Sequence, residues 1–305
     1  MTDIREVVVG YDGSDFSMQA LEWAMDEAEL GKLPLRVAHA WRWPYGAADE
    51  EARLHLRKAA EHVLYHGADC ARACSTLADV TTDLHEGAAA ERLVELSERA
   101  ALIVVGSRGM GTLARTVLGS VAGYVAAHAH CPVIVVRGPG PIPVPRERGA
   151  VVLGMSGDTP DGVIEFAFRE ARLRQLKLMA VHAGRLQPLV HETRIATKAT
   201  EDGMLERLGP WRIAYPQVAV GACFAATSAK DLLTDASREA SLVVVGGARE
   251  HGRLGSTSRS VLQHGFCPVA VVPAGWESPP RDGPALSDSD VLGDAQVVES
   301  RPEYG

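Results

Sequence analysis

The chain has 305 residues, of which 46% are hydrophobic and 23% charged, and its formal net charge is −8. This length is typical of two domains of roughly 150 residues, each large enough to bury a core without metal or disulfide support. The acidic balance does not favour a broad phosphate-neutralising surface, so we expect no nucleic acid partner. No apolar run reaches about 18 residues and the first residues are charged, so we expect a soluble, cytoplasmic chain without a membrane span or signal peptide.

The cysteines are odd in number and scattered along the chain, at positions 70, 74, 131, 223 and 267. Cys70 and Cys74 are four residues apart on a predicted helix, and no second Cys or His pair has zinc-ligand spacing. We therefore expect buried or half-buried thiols in a reducing compartment rather than disulfides or metal ligands.

An internal repeat organises the chain. The recurring segments are 7–10 with 151–154, 102–106 with 242–246, 119–120 with 255–256, and 131–133 with 267–269. The offset falls from 144 residues, between 7 and 151, to 136 residues, between 119 and 255. The chain therefore contains two copies of one domain, and the second copy has shorter loops.

In the first copy, apolar runs of strand length alternate with longer segments of helical periodicity. In chain order we predict a strand at 6–10, a helix at 15–30 that stops at Gly31, a strand at 35–40, a helix at 47–74, a strand at 80–84, a helix at 88–99, a strand at 102–105, a helix at about 120–130 and a strand at 133–136. This alternation implies right-handed βαβ units and a parallel sheet with helices on both faces, which is an α/β fold.

A proline- and glycine-rich run at 138–145 separates the two copies. Proline lacks the amide donor that regular structure needs, so the run predicts a semi-rigid linker. The predicted domains are 1–138 and 150–274, with the linker at 139–149. The polar residues 275–305 are predicted to form a disordered tail.

A glycine-rich turn in the first copy is a candidate phosphate site. Gly106-Ser107-Arg108-Gly109 follows a buried strand, and so lies at the sheet edge where α/β proteins bind ligands. Gly119-Ser120 opens a helix, whose N–H groups and positive dipole end attract anions, and bare glycine backbone can approach a phosphate closely. Ser120 could cap this helix and donate its hydroxyl to phosphate, and Arg108 could add charge to the cleft or lie on its solvated rim.

Asp12 follows the first strand and projects toward the same edge of the sheet. A carboxylate beside a phosphate site suits sugar hydroxyls or a magnesium ion. The alternative is that Asp12 only caps the first helix. Either way, the residue belongs to the turn that borders the candidate site.

Catalytic signatures are lacking in the sequence. It contains neither a GxxxxGK[ST] loop nor the third glycine of a dinucleotide fingerprint. His128 and His130 lie near the end of the fourth helix, where a helix-end or packing role is favoured over catalysis. No nucleophile–base–acid set recurs in both copies, so no catalytic residues are predicted.

Together these motifs resemble the universal stress protein family. The resemblance is carried by VVVGYDGS at 7–14, by VVGSRGMG at 104–111 with LGSV at 118–121, and by CPVIVVR at 131–137. The spacing of Gly106, Gly109, Gly119 and Ser120 is the mark of that family's ATP-binding branch. The resemblance covers residues 5–137 strongly and 150–273 more weakly, and the tandem arrangement is similar to stress proteins of actinobacteria.

The resemblance implies two tandem open five-stranded parallel-sheet domains, Rossmann-like and of the adenine nucleotide alpha hydrolase-like type. It implies bound ATP, with magnesium in some states, and an adenine placed at the end of the second strand, against His39, Ala40 and Trp41. The implied nucleotide-binding residues are Asp12, Gly13, Ser14, Ala40, Gly106, Arg108, Gly109, Gly119, Ser120 and Val121, with Asp12 also able to hold the magnesium. Pairing through the fifth strands is implied as well, either in a homodimer or in an intramolecular pseudo-dimer.

The second copy departs from the pattern at the candidate site. It has Met155-Ser156-Gly157-Asp158 where the first copy has Tyr11-Asp12-Gly13-Ser14, and its last loop is four residues shorter. Arg249 stands three residues after Gly246, where the first copy has glycine, so a side chain would enter the phosphate path. We expect the second copy to bind nucleotide weakly or not at all, with Gly255-Ser256 serving helix capping and packing.

The leading hypothesis is therefore an ATP-binding regulatory protein of the stress response, in which nucleotide occupancy alters conformation or partner choice. An enzyme, such as a slow ATPase or an adenylate-forming transferase, is the alternative from another class. A third alternative is an interaction scaffold that binds no ligand. AMP or cyclic AMP could also replace ATP, because the depth of the phosphate site cannot be read from sequence.

Overall fold

The computed structural model describes residues 5–43, 50–109, 118–137, 149–184, 200–247 and 252–278. The strands are β1 (Val7–Gly10), β2 (Leu35–Trp41), β3 (Val80–Glu86), β4 (Leu102–Gly106), β5 (Val133–Val136), β6 (Ala150–Gly154), β7 (Lys177–Ala183), β8 (Val220–Ala225), β9 (Leu242–Gly246) and β10 (Val269–Val272). The helices are α1 (Asp15–Gly31), α2 (Glu50–Cys74), α3 (Ala89–Ser97), α4 (Ser120–His128), α5 (Asp161–Leu173), α6 (200–207), α7 (Gly209–Ala214), α8 (Ala229–Ala236) and α9 (Ser256–His264).

The strands form one ten-stranded sheet in the order β3-β2-β1-β4-β5-β10-β9-β6-β7-β8. Within each copy all neighbouring strands are parallel, which confirms the predicted α/β fold with two five-stranded parallel sheets. The two copies join through β5 and β10, which run antiparallel with Ile134 opposite Ala270. The pairing of fifth strands therefore occurs within a single chain.

Both faces of the sheet are covered by helices, because the strands are apolar on both sides. Val7 and Val9 pack into the layer with α1, α2 and α5, whereas Val8 packs into the layer with α3, α4, α8 and α9. Such continuous apolar runs are typical of strands buried on both faces. Each layer contains residues of both copies, so the hydrophobic core continues across the junction of β5 and β10.

Several boundaries differ from the predicted ones. Helix α1 includes Gly31 and ends because Lys32 adopts a left-handed conformation with φ of 52°, so the prediction that Gly31 stops the helix is wrong. The Lys32 N–H instead donates to the carbonyls of Ala28 and Glu29. Strands β2 and β3 continue to Trp41 and Glu86, which extends the sheet edge that borders the candidate site.

The first residues of the predicted tail belong to the second copy. The Trp276 side chain is only 6% exposed and meets the Phe166 ring edge-on, with centroids 5.8 Å apart. Gly162 permits this contact, since a Cβ atom there would lie 2.1 Å from the Trp276 carbonyl oxygen. The prediction that disorder begins at 275 is thus wrong for 275–278, while 279–305 and the linker residues 138–148 lie outside the described residues.

Charged side chains are buried where the two copies meet. Arg174 of the second copy forms ion pairs with Glu27 of α1 and, at 2.8 Å, with Glu170 of its own copy. Trp23 donates its Nε1–H to Glu27 at 2.8 Å, and the Arg174 guanidinium lies 4.6 Å from the centroid of the Trp23 ring. Burial, and next the charge of Glu27, raise the pKa of Glu170. Paired charges as well as strands therefore join the copies.

No helix among the described residues is long and apolar enough to span a membrane.

Candidate functional site

A cavity of about 450 Å³ opens at the carboxyl ends of β1, β2 and β4. Small-molecule sites have volumes of roughly 300–1,000 Å³. The cavity lies where strand order reverses between β1 and β4, which is the usual ligand position in open parallel sheets. Eight of the predicted site residues line it: Asp12, Ala40, Gly106, Arg108, Gly109, Gly119, Ser120 and Val121.

One side of the cavity is the end of β2, which extends past the end of β1. The Ala38 carbonyl accepts a hydrogen bond from Tyr11 N at 2.9 Å, and the Trp41 carbonyl accepts from Gly87 N on the opposite side at 2.9 Å. Because backbone groups alternate in direction along a strand, Ala40 directs its N–H and C=O to the same side as Ala38. This edge offers a donor beside an acceptor, which suits a planar heterocycle.

Of the three residues implied to border an adenine, His39 and Ala40 line the cavity. His39 lines the cavity, and its Nδ1 forms a hydrogen bond with the Tyr11 carbonyl at 2.8 Å, which fixes the ring. The Trp41 side chain is buried and does not line the cavity. Ala40 and His39, rather than Trp41, form this end of the site.

The turn after β1 is organised by Asp12. Its Oδ1 atom accepts hydrogen bonds from Ser14 N at 3.0 Å and from Ser14 Oγ at 2.6 Å. Ser14 in turn caps α1 by accepting from Ser17 N at 3.2 Å, so Asp12 supports the cap and is not itself the cap. Gly13 has φ of +82°, which favours glycine. Gly13 and Ser14 shape the turn without lining the cavity.

The glycines of the turn after β4 lie against other parts of the protein. A Cβ atom at Gly106 would lie 2.6 Å from the Phe16 carbonyl oxygen, and one at Gly109 would lie 2.5 Å from Asp12 Oδ2. Contacts within the protein therefore require glycine at both positions, whether or not a ligand approaches the turn. Gly119 N donates to the Ser107 carbonyl at 2.8 Å, so the residue before α4 lies against the turn that follows β4. Residues 110–117 of this loop lie outside the described residues.

Helix α4 begins at the cavity. Its N-cap is Gly119, with no side-chain cap among the described residues, so the prediction that Ser120 caps the helix is wrong. Ser120 is the first helical residue, and both it and Val121 line the cavity. The first-turn N–H groups of a helix have no intrahelical partner and carry the positive end of its dipole. This end of the cavity therefore favours an anion.

Arginine side chains add positive charge to the site. Arg108 lines the cavity and its guanidinium lies 4.8 Å from the centroid of the Phe16 ring, so it is part of the site wall rather than a solvated rim. Arg137 lies buried nearby, where burial and, next, the charge of Arg108 lower its pKa. An anion bound beside Arg108 would relieve the repulsion between these two guanidinium groups.

Arg92, which sequence reasoning missed, lines the cavity and belongs to a charged pair. Arg92 of α3 binds Asp83 of β3 through two hydrogen bonds of 2.6 and 3.0 Å, and it also pairs with Glu95 at 2.7 Å. The Arg92 guanidinium lowers the pKa of Asp83. The only sequence signal was an aspartate inside a strand, where this residue type is depleted.

A hydrogen bond beneath the turn was missed as well. Tyr11 Oη lies 2.9 Å from His66 Nδ1 of α2, and burial raises the pKa of Tyr11. The Tyr11 ring packs on Gly67, where a Cβ atom would lie 2.7 Å from it. Gly67 thus interrupts the helical pattern because the tyrosine needs that space.

The described residues contain no group of three or more His, Cys, Asp or Glu side chains that could hold a metal ion. Asp12 is a single carboxylate at the cavity. A magnesium ion bound there would take its other ligands from phosphate oxygens and water, as this ion commonly does. Asp12 is thus chemically suitable but insufficient alone.

His128 and the five cysteines do not line the cavity. His128 ends α4, and its Nδ1 bonds to the Tyr124 carbonyl at 2.8 Å, as a helix-end residue does. All five thiols are unpaired. Burial raises the pKa of Cys131 and of Cys267 to about 12. Cys74 and Cys223 are exposed, so the prediction of buried or half-buried thiols is wrong for these two.

The second copy has a cavity of about 470 Å³ at the corresponding sheet edge, beside the ends of β6, β7 and β9. Gly154, Gly246 and Ala183 occupy the positions of Gly10, Gly106 and Ala40. The two copies therefore share a cavity as well as a fold.

Two parallel five-stranded halves of one sheet, each with a cavity at its strand-order reversal, define a Rossmann-like α/β protein. More particularly, the chain belongs to the universal stress protein family, whose family model matches residues 3–137 and 148–273. Universal stress protein Rv2624c of Mycobacterium tuberculosis is 32% identical over 274 residues, which are 88% of this chain and 96% of that protein. The tandem arrangement predicted to be similar to actinobacterial proteins is thus confirmed.

Solved structures of the family are also similar to this chain. The crystal structure of a universal stress protein from Archaeoglobus fulgidus matches with a TM-score of 0.65 and 18% identity, over 88% of this chain and 98% of that chain, which supports the fold. A universal stress protein solved in complex with cAMP is 31% identical over 44% of this chain and 97% of that chain, with a TM-score of 0.36.

Proposed function

We propose that the first copy binds ATP and that the protein is a cytoplasmic regulator of the stress response, whose conformation or partner choice depends on nucleotide occupancy. One observation carries this proposal: a single cavity brings together the Ala40 backbone edge, the Asp12 carboxylate, and the start of α4 beside Arg108. These are a base-reading edge, a sugar-binding group and an anion site, in the order in which a nucleotide would need them.

In this proposal each part of the nucleotide has its own group of residues. The adenine lies against Ala40, the ribose hydroxyls face Asp12, and the phosphates lie between the glycine turn and Ser120. The charge of Arg108 and the dipole of α4 both favour the phosphates. Magnesium, where present, would be shared between Asp12 and the phosphates.

A regulatory role is favoured over catalysis because the titratable groups at the cavity have other bonds. The His39 ring is held by the Tyr11 carbonyl, and Asp12 accepts two hydrogen bonds from Ser14. Neither arrangement provides a base positioned to activate water at a phosphate. Slow ATP hydrolysis is the enzymatic alternative, and steady multiple turnovers abolished by Asp12→Ala would establish it.

We further propose that one chain forms an intramolecular pseudo-dimer and binds one ATP. Strands β5 and β10, which would pair between chains in a homodimer, pair inside this chain. No lysine or arginine among the described residues lines the cavity of the second copy. Five unpaired thiols favour a reducing compartment, which supports a cytoplasmic location.

Titration calorimetry of the full chain with ATP and magnesium tests the proposal. Hydrogen bonds to charged groups contribute about 1.5–3 kcal/mol, so Arg108→Ala is expected to weaken ATP binding by about 10- to 150-fold. The matched control is Arg238→Ala, because Arg238 also lies over an aromatic ring, that of Phe266 at 3.9 Å, but far from the cavity. Parallel titrations with AMP and cyclic AMP identify the preferred nucleotide.

Equal losses in both variants, or ATP binding unaffected by Arg108→Ala, would contradict the assigned site. Absence of heat with every adenine nucleotide would leave the ligand-free scaffold as the better account.

A further inference from the structure

A cluster of three side chains joins the turn after β1 to helix α2. Tyr11 Oη lies 2.9 Å from His66 Nδ1, and Cys70 Sγ lies 3.9 Å from His66 Nε2, the separation of a weak hydrogen bond to sulfur. His66 and Cys70 are four residues apart, so they lie on the same face of α2 in successive turns. The imidazole therefore lies between a hydroxyl group and a thiol, with one ring nitrogen facing each.

The Tyr11 hydroxyl holds the imidazole in place. Tyr11 is only 3% exposed, and its ring packs on Gly67. Burial, and next the charges of Cys70 and Asp12, raise the pKa of Tyr11, so its oxygen stays a neutral hydroxyl. In the tautomer whose Nδ1–H donates to this oxygen, His66 Nε2 can accept the thiol proton. A nucleophile, a base and a group that orients the base are thus adjacent, which is the arrangement that activates thiols.

Cys70 differs from the other four thiols in its surroundings. Cys131 and Cys267 are buried, and burial raises the pKa of both to about 12. Cys74 and Cys223 are exposed, but neither is hydrogen-bonded to a histidine in the part of the chain that the structure describes. Cys70 combines partial exposure with an imidazole at hydrogen-bond distance. Reactive cysteines typically lie in such partly exposed surroundings beside a basic group.

We propose that Cys70 is a peroxide-reactive thiol and that His66 is its base, held in place by Tyr11. The thiol proton passes to His66 Nε2 while the sulfur attacks one oxygen of hydrogen peroxide. An S–O bond forms, the O–O bond breaks, and the leaving hydroxide takes the proton from His66 to give water. The sulfur is oxidised by two electrons to a sulfenic acid, and the peroxide is reduced to water.

The cluster is adjacent to the first cavity but is not part of it. Tyr11 lines that cavity, whereas neither His66 nor Cys70 does. The inference therefore goes beyond nucleotide binding and does not depend on it. The first copy would respond to two chemical signals, a peroxide at Cys70 and a nucleotide at the cavity.

Trapping of sulfenic acids with dimedone, followed by mass spectrometry of the full chain, tests the proposal. The nucleotide-free protein is exposed to hydrogen peroxide and dimedone, and the labelling rate of each thiol is followed. Trypsin cleaves after Arg72 and so separates Cys70 from Cys74, which lets both thiols be measured in one sample. Cys70 is expected to react at least about tenfold faster than the more exposed Cys74 and Cys223, because only Cys70 has a base.

Three variants test the assigned roles. His66→Ala is expected to lower the rate at Cys70 by at least about tenfold and to leave Cys74 unchanged. Free imidazole should restore part of this rate, which a purely structural role of His66 would not produce. The matched control is His62→Ala, an exposed histidine one turn earlier in α2, for which no change is expected. Tyr11→Phe should lower the Cys70 rate relative to Cys74 by about 2- to 10-fold, as for the loss of one hydrogen bond.

The inference is overturned if Cys74 or Cys223 is oxidised as fast as Cys70 in the unaltered chain. It is also overturned if His66→Ala leaves the Cys70 rate unchanged, or if His62→Ala lowers it equally. Local unfolding would expose Cys70 and raise its rate, so a lower rate cannot come from a disturbed fold. No nucleotide is present in this experiment, so the proposed function of the first copy is judged separately.

Discussion

The two cavities have nearly equal volumes, about 450 and 470 Å³, yet their walls impose different constraints. At Gly106 a Cβ atom would lie 2.6 Å from a backbone oxygen of α1, whereas at the equivalent Gly246 the nearest atom would be Val163 Cγ2 at 3.9 Å. The cavity itself follows from strand order and helix packing, which the copies share. The copies differ in a few side chains that line the cavities and in the tightness of one turn.

The largest expected effect is the loss of stability when the buried ion pairs between the two copies are broken. Arg174→Ala leaves Glu27 buried without its cation and leaves Glu170 with only Arg169, at 3.5 Å. Breaking a buried ion pair in this way typically costs about 3–5 kcal/mol of unfolding free energy. Urea denaturation measures this loss. Arg172→Ala, on the exposed side of the same helix, should change stability by no more than about 0.5 kcal/mol. Similar values for the two variants would show that the copies do not depend on this contact.

The same cluster predicts that the stability of the folded chain depends on pH. Burial, and next the charge of Glu27, raise the pKa of Glu170 to about 7, so the folded chain holds this proton more tightly than the unfolded chain does. Its contribution to stability is therefore present at low pH and is lost as pH rises from the ordinary carboxyl range through about 7. Arg174 and Arg169 face the same carboxylate and oppose the shift.

Glu170→Gln should remove this component. The test is the difference in unfolding free energy between about pH 5 and about pH 8, which is expected to be smaller in the variant than in the unaltered chain. An unchanged difference would mean that Glu170 does not titrate in this range.

Adding one methyl group to each of the two glycine turns tests how differently they are packed. Gly106→Ala must displace the backbone of α1, and overpacking of this kind costs about 1–3 kcal/mol. Gly246→Ala places its methyl group at an ordinary contact distance, so we expect a change of at most about 0.5 kcal/mol. Thermal unfolding of both variants compares them directly, and equal destabilisation would contradict the asymmetry of the turns.

The smallest expected effect concerns the hydroxyl group of Tyr11, which the equivalent residue Met155 lacks. Tyr11→Phe removes only the hydrogen bond to His66, which is worth about 0.5–1.5 kcal/mol. ATP affinity should change by no more than about twofold, because the ring remains. A larger loss of affinity would give the hydroxyl a direct part in binding.

Much of this architecture could be predicted because it depends on local patterns. Alternating apolar strands and amphipathic helices indicate the parallel sheet, and the repeat at 102–106 and 242–246 indicates two copies. Eight of ten candidate residues lie at one cavity because glycine turns and strand ends occupy the same sheet edge by topology.

The rest depends on contacts between distant residues, which leave little trace in a local pattern. The Arg92–Asp83 pair joins a helix to a strand, and the Glu27–Arg174 pair joins residues from different copies. The alternative that Asp12 caps α1 is wrong, because Ser14 is the cap; both are good capping residues, and only the geometry distinguishes them. Gly31 was expected to end α1, but Lys32 takes the left-handed position instead.

Native mass spectrometry of the full chain with ATP and magnesium tests the central claim most directly, because it counts bound nucleotides. The predicted result is one ATP per chain. It is lost in Ala40→Trp, which fills the first cavity, and kept in Ala183→Trp, which fills the second. Two ATP molecules per chain, or none, would contradict the proposal that only the first copy binds ATP.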